Sequence, residues 1–132
     1  MHLISFGYLH LKGQATPQAD RVEDVRKRLR DPAAAQHILD LDGLDPRVQD
    51  VVLATTGARE LLDNLLAYAE LPAGPERIAI GCAGGKHRAV ALTDLLGRRL
   101  RERGHQVVIE HLHVHLPRVL AIAHKERQAF GG

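Results

Sequence analysis

Aromatic residues are scarce in this chain: two Phe, two Tyr and no Trp. Proteins that hold single-stranded nucleic acid stack bases on aromatic rings, so that class starts at a disadvantage, and the core must be built from Leu, Val, Ile and Ala. Cysteine is scarcer still. Cys82 stands alone, which excludes an internal disulfide framework and a zinc site of several thiolates. No apolar run approaches the length of about 18 residues that a membrane span requires. The start, Met1-His2-Leu3-Ile4-Ser5, lacks the charged-then-apolar plan of a signal peptide. An excess of one charge is missing too: 18 Lys and Arg against 16 Asp and Glu leave +2, too balanced for nucleic-acid binding by bulk charge alone. What remains is an expected cytoplasmic, single-domain protein spanning 1–132, large enough to bury a core without staples.

Hydrophobic patterning indicates an α/β fold: a small sheet with at least one parallel βαβ unit and helices packed on it. Leu3 to Phe6 is a short apolar run closed by Gly7 and reads as a strand. Asp20 to Arg30 reads two ways. Val22, Val25 and Leu29 have helical spacing, while Arg21 to Val25 also suits a strand. Pro46, where a missing N–H costs nothing, opens a helix to about Ala54. A second helix carries the stripe Leu61, Leu62, Leu65, Leu66 and Ala69, with Thr55 or Thr56 as its expected cap. Arg77 to Ile80 resembles a strand covered on both faces. A helix then runs from His87 or Arg88 to Arg103, with Leu92, Leu95, Leu96 and Leu100 inward and Gly104 as its stop. Val107 to Ile109 resumes a strand, and Pro117 to Phe130 has the pattern of a last helix.

Between the strand at Arg77 and the following helix lies Gly81-Cys82-Ala83-Gly84-Gly85-Lys86-His87-Arg88. Glycines let a backbone wrap an anion closely, and a helix N-terminus supplies free N–H groups and a favourable dipole. Lys86, His87 and Arg88 add three basic groups, so the segment is expected to bind a phosphate. The bland alternative is a tight turn with solvated basic residues. A nucleotide P-loop is excluded, because Lys86 is followed by His87 where a hydroxyl residue is required. Cys82 and Arg88 do have the spacing of the cysteine-dependent phosphatases, in which a thiolate attacks phosphorus. Yet Gly81 stands where that family has His, and Ala89 where it has Ser or Thr. Cys82 is therefore read as a packing residue, and the phosphohydrolase using Cys82 and Arg88 as the alternative.

The loop and Ala89-Val90, with Ile4-Ser5-Phe6-Gly7, Asp24-Val25-Arg26 and Gly43-Leu44-Asp45, together resemble the C-terminal domain of the RapZ family of RNase adapter proteins, from His2 to about His111. The resemblance implies a sensor, not an enzyme, for a hexosamine phosphate such as glucosamine-6-phosphate. It implies no cofactor, and RNA or a protein as further partner classes. Ala83, Gly84, Gly85 and Arg88 would then sit on the phosphate, with Lys86 and His87 beside them. Asp24 and Arg26 would lie at the sugar, and Asp45 would support the pocket. The resemblance favours the strand reading of Arg21 to Val25. The family has Thr or Val where Ala83 stands, and His where Ala33 follows Asp31-Pro32. For RNA, the basic residues Arg98, Arg99, Arg101, Arg103, Arg118, Lys125 and Arg127 are interleaved with Glu102, Glu110 and Glu126, so only weak binding is expected.

His111, His113 and His115 alternate with apolar residues. On a strand they would share one face, about 7 Å apart, as a weak metal-ligand candidate or a mildly basic edge. His111 is also a candidate ligand contact, reaching the glycine loop from a neighbouring parallel strand.

Overall fold

The computed structural model describes residues 1–27, 29 and 38–116. Four strands, β1 (His2–Gly7), β2 (Arg21–Asp24), β3 (Arg77–Cys82) and β4 (Val108–His111), form one sheet in the order β2-β3-β1-β4. Every pairing is parallel. The short α1 (Tyr8–Leu11) follows β1, and α2 (Pro46–Ala54), α3 (Ala58–Ala69) and α4 (Arg88–Glu102) complete the described elements. The α/β class and its parallel strands agree with the hydrophobic pattern.

Because β-strand side chains alternate, each strand feeds two layers. Leu3, Ile78, Ile80 and Cys82 join Val48, Val52, Leu62, Leu65, Leu92, Leu96 and Leu100 in the main core beneath α2, α3 and α4. Ile4, Phe6 and Ala79 point to the other face, where Tyr8, Leu11, Ala19 and Val22 cover them. β1 and β3 are buried along nearly their whole length, as parallel strands with two covered faces must be.

Several sequence expectations are corrected in detail. Of the two readings of Asp20 to Arg30, the strand holds for its first part, β2. The α3 helix begins after Gly57 (φ 87°), and neither threonine caps it. Thr55 instead ends α2 and donates its hydroxyl proton to the Val51 carbonyl (3.2 Å). β3 and β4 are parallel but not adjacent, because β1 lies between them. The histidine triplet does not alternate along a strand, since β4 ends at His111. The helix expected over 117–130 lies outside the described residues.

Candidate phosphate-binding site

Parallel strands place all four carboxyl ends along one edge. The chain leaves β1 toward the face covered by α1, and leaves β3 toward the face covered by α4. Neighbouring strands whose chains depart to opposite faces open a crevice at their carboxyl ends. Here that crevice falls between Gly7 and Cys82, which pair in register.

Gly7 and the glycine loop meet there backbone to backbone. A Cβ on Gly7 would lie 2.5 Å from the Gly84 carbonyl carbon and 2.6 Å from the Gly85 nitrogen. Gly85 holds φ at 69° and would meet the Gly7 nitrogen at 2.6 Å if it carried a Cβ. Leu9 N–H donates to the Ala83 carbonyl (3.0 Å) and Gly85 N–H to Cys82 Sγ (3.2 Å). Around Gly84 the space is open, with nothing within 4 Å of a built Cβ. His87 occupies the N-cap position of α4 without a side-chain cap. The first helical bond runs from Ala91 N–H to the His87 carbonyl. The N–H groups of Arg88, Ala89 and Val90 therefore have no carbonyl four residues back within the helix.

The basic residues are arranged differently from the expected rim of three cations. His87 and Arg88 are buried. Arg88 Nη1 donates to the carbonyls of Val25, Arg26 and Leu29 at 3.0–3.1 Å, so its guanidinium binds the segment after β2 to the start of α4. Lys86 is half-buried, its Nζ 3.5 Å from the Leu39 carbonyl.

Asp24 and Arg26 do come together at the end of β2. Arg26 Nη2 lies 2.7 Å from Asp24 Oδ2, and its guanidinium carbon sits 3.5 Å above the Tyr8 ring. The hydrogen bond from Arg26 holds the Asp24 carboxyl below the usual carboxylate range, and burial pushes the Tyr8 hydroxyl up. Asp45 caps α2 by accepting Arg47 N–H (2.9 Å). Its loop is braced against the glycine loop: Gly43 N–H donates to the Lys86 carbonyl (2.8 Å), and Gln49 Nε2 joins the Gly43 carbonyl to Asp94 (2.9 and 2.8 Å).

His111 lies on β4 opposite Ser5 of β1, not beside the glycine loop's own strand. Its Nδ1 is 2.6 Å from Ser5 Oγ, and burial lowers its pKa against the opposing pull of Asp94 and Asp42. His113 turns back over β1, where its Nδ1 accepts Gly7 N–H (2.8 Å) and its ring stacks on His10 at 4.8 Å. His115 is exposed. Among the described residues no group of three or more His, Cys, Asp or Glu comes together that could hold a metal ion. The contacts made by Ser5, Gly7, Tyr8 and His10 escape sequence reading. The available signal was a glycine directly after a buried strand, at the point where the chain must turn.

Cys82 is 2% exposed and belongs to the main core, under the loop and not in the crevice. Arg98, Arg99 and Arg103 pair with Asp94, Asp63 and Glu70 at 2.7–2.9 Å. Arg101 donates to the Val107 carbonyl (2.8 Å). Their charge is thus largely engaged within the fold; Arg118, Lys125 and Arg127 lie outside the described residues. No helix among the described residues is long and apolar enough to cross a membrane.

Residues 1–115 match the family model for the RapZ C-terminal domain. Among curated relatives, a "nucleotide-binding protein" of Thermobifida fusca is 39% identical over 118 residues, covering 83% of this chain and 39% of the relative. Proteins of the same name from Desulforudis audaxviator and Acidiphilium cryptum are each 38% identical, covering 82% and 83% of this chain and 38% and 37% of themselves. The chain thus spans about two-fifths of the length of these relatives. With the family's glycine loop set in the crevice between β1 and β3, this chain belongs to the RapZ C-terminal domain family.

Proposed function

We propose that this domain is a non-enzymatic binding module for a phosphorylated small molecule, a hexosamine phosphate, held at the Gly81–Arg88 loop. The observation that carries the reading is the open space over Gly84, beside an α4 N-terminus that has no side-chain cap, at the crevice between β1 and β3. Backbone N–H groups and the helix dipole favour a dianion there, and half-buried Lys86 brings a cation to the same loop. Arg26, fixed by Asp24 and Tyr8, borders the same edge and would face the sugar. The names of the relatives favour a phosphate ligand of some kind and add nucleotides as a class to be compared. A thiol buried in the core supports binding over hydrolysis at Cys82.

Gly84→Asp tests the site directly. Nothing lies within 4 Å of a Cβ built at this position, so the melting temperature is expected to stay within about 2 °C of wild type, as for an ordinary surface substitution. The added carboxylate fills and charges the cradle, and affinity for glucosamine-6-phosphate is expected to fall at least about 30-fold, the equivalent of roughly 2 kcal/mol. Calorimetric titration with glucosamine-6-phosphate, inorganic phosphate and a nucleoside diphosphate reads both affinity and ligand class. Unchanged affinity in a folded Gly84→Asp protein would remove the loop assignment, and tighter nucleotide binding would replace the sugar.

The thiol gives a separate expected outcome. Wild type is expected to release no product from an aryl phosphate above background, and Cys82→Ser is expected to bind the sugar phosphate within about threefold of wild type. Wild-type turnover abolished by Cys82→Ser would make the protein a phosphohydrolase.

A further inference from the structure

The glycine loop rests on Gly7, and Gly7 rests on a histidine. Gly7 N–H donates to His113 Nδ1 at 2.8 Å, so that nitrogen is unprotonated and the neutral ring carries its proton on Nε2. On its other side, the Gly7 backbone lies against Gly84 and Gly85 so closely that no Cβ fits between them. His113 stacks on His10 of α1 with ring centroids 4.8 Å apart, and His10 Nε2 is buried with no hydrogen-bond partner among the described residues. Burial disfavours a positive charge on either ring, and a charge on one ring disfavours a charge on the other. A proton on His113 Nδ1 would also turn the acceptor of Gly7 N–H into a second donor.

We propose that His113 is a proton-operated latch on the glycine loop: the neutral ring holds the Gly7 amide, and protonation releases it and loosens the seat of Gly84 and Gly85. A weaker grip on anions below neutral pH follows if the loop is the anion site, and in that respect the inference rests on the proposed function. The groups whose charges bear on the latch are few. His113 faces His10 of α1, which in turn faces Lys12, and both relations disfavour a proton. From β1 the Gly7 amide donates to it. His111 and His115 share its own segment; His111 is turned to Ser5 and feels Asp94 and Asp42 instead. Burial acts in the same direction on both His113 and His10. The latch therefore holds at and above the ordinary histidine pKa of about 6.5 and opens as pH falls below it.

The test uses amide hydrogen exchange by NMR, with Gly7 and Gly85 as reporters and protection expressed relative to an unstructured chain at the same pH. Sulfate serves as the anion, because its charge does not change between pH 8 and 5. In wild type, Gly7 protection is expected to drop at least tenfold from pH 7.5 to 5, with a several-fold loss of sulfate affinity. His113→Asn places a non-titrating oxygen near the Nδ1 position, and both quantities should then be flat with pH. His10→Ala removes a half-buried cation-in-waiting and should move the wild-type midpoint upward. Constant Gly7 protection down to pH 5, an identical decline in His113→Asn, or an unmoved midpoint in His10→Ala would each overturn the latch. Sulfate that binds at no pH would count against the anion site alone, since the exchange pattern decides the latch without it.

Discussion

Gly7→Ala is expected to lower stability by about 3 kcal/mol, at the upper end of overpacking costs, and to abolish measurable phosphate binding. The new methyl group would enter at 2.5–2.6 Å from three backbone atoms of Gly84 and Gly85. A flexible side chain could give way, but here the neighbour is a turn pinned by Gly85 N–H on Cys82 Sγ and by Leu9 N–H on the Ala83 carbonyl. Either β1 separates from β3 at its carboxyl end or the loop opens. Gly85→Ala should behave similarly, with the left-handed φ of 69° adding about 1–2 kcal/mol of strain. Gly84→Ala is the control: same loop, open space and an expected change below about 0.5 kcal/mol. Thermal and urea unfolding of the three variants reads the comparison. A Gly7→Ala protein as stable as Gly84→Ala would mean that the strand and loop do not touch as described.

Arg88→Ala is expected to cost about 3 kcal/mol or more. Hydrogen bonds to a charged group contribute about 1.5–3 kcal/mol, and the stranded acceptors carry their own desolvation penalty. Arg88 Nη1 satisfies three carbonyls, two of the bonds fully buried, and alanine satisfies none of them. The loss should spread beyond the helix start. Val25, Arg26 and Leu29 lose their tether, and Arg26 with them loses its fixed place above Tyr8. Sugar-phosphate affinity should therefore fall in Arg88→Ala together with protection of the amides after β2. Arg88→Lys should recover part of the stability, since one ammonium cannot keep the geometry of a planar guanidinium. If Arg88→Ala lost affinity while the segment after β2 kept its exchange protection, the guanidinium would be a ligand contact and not a tether.

Local patterns made much of this fold legible. Pro46 marks the start of α2, the leucine stripes mark α3 and α4, and the apolar run at Arg77 marks β3. Element order along the chain, however, carries little information on strand order across a sheet. The insertion of β1 between β3 and β4 rests on contacts between remote residues, and it put His111 opposite Ser5 instead of beside the glycine loop. The position of the loop was legible because its glycines follow one apolar run and precede a helical leucine stripe. The side-chain directions within it were not. Arg88 sits on the first turn of α4, where its long side chain could face the crevice or cross to the segment after β2, and it crosses to the carbonyls of Val25, Arg26 and Leu29. His113 was read as one member of a strand face because alternation is visible in sequence, whereas the turn after His111 that returns it to Gly7 is not.

The central place of β1 also bears on how the chain reaches this state. β1, made before the other three strands of its sheet, has both its edges filled by segments made much later: β3 on one side and β4 on the other, with Ser5 and His111 separated by 106 positions. Pairings that distant close large loops before any contact rewards them, and domains dominated by such pairings fold slowly. During synthesis His2–Gly7, apolar on both faces, must wait for residues 77–82 to fill one edge and for residues 108–111 to fill the other. The crevice at Gly7 cannot form before residues 82–85 have been made. Substitutions there should leave the folding rate almost untouched and act on the rate of unfolding.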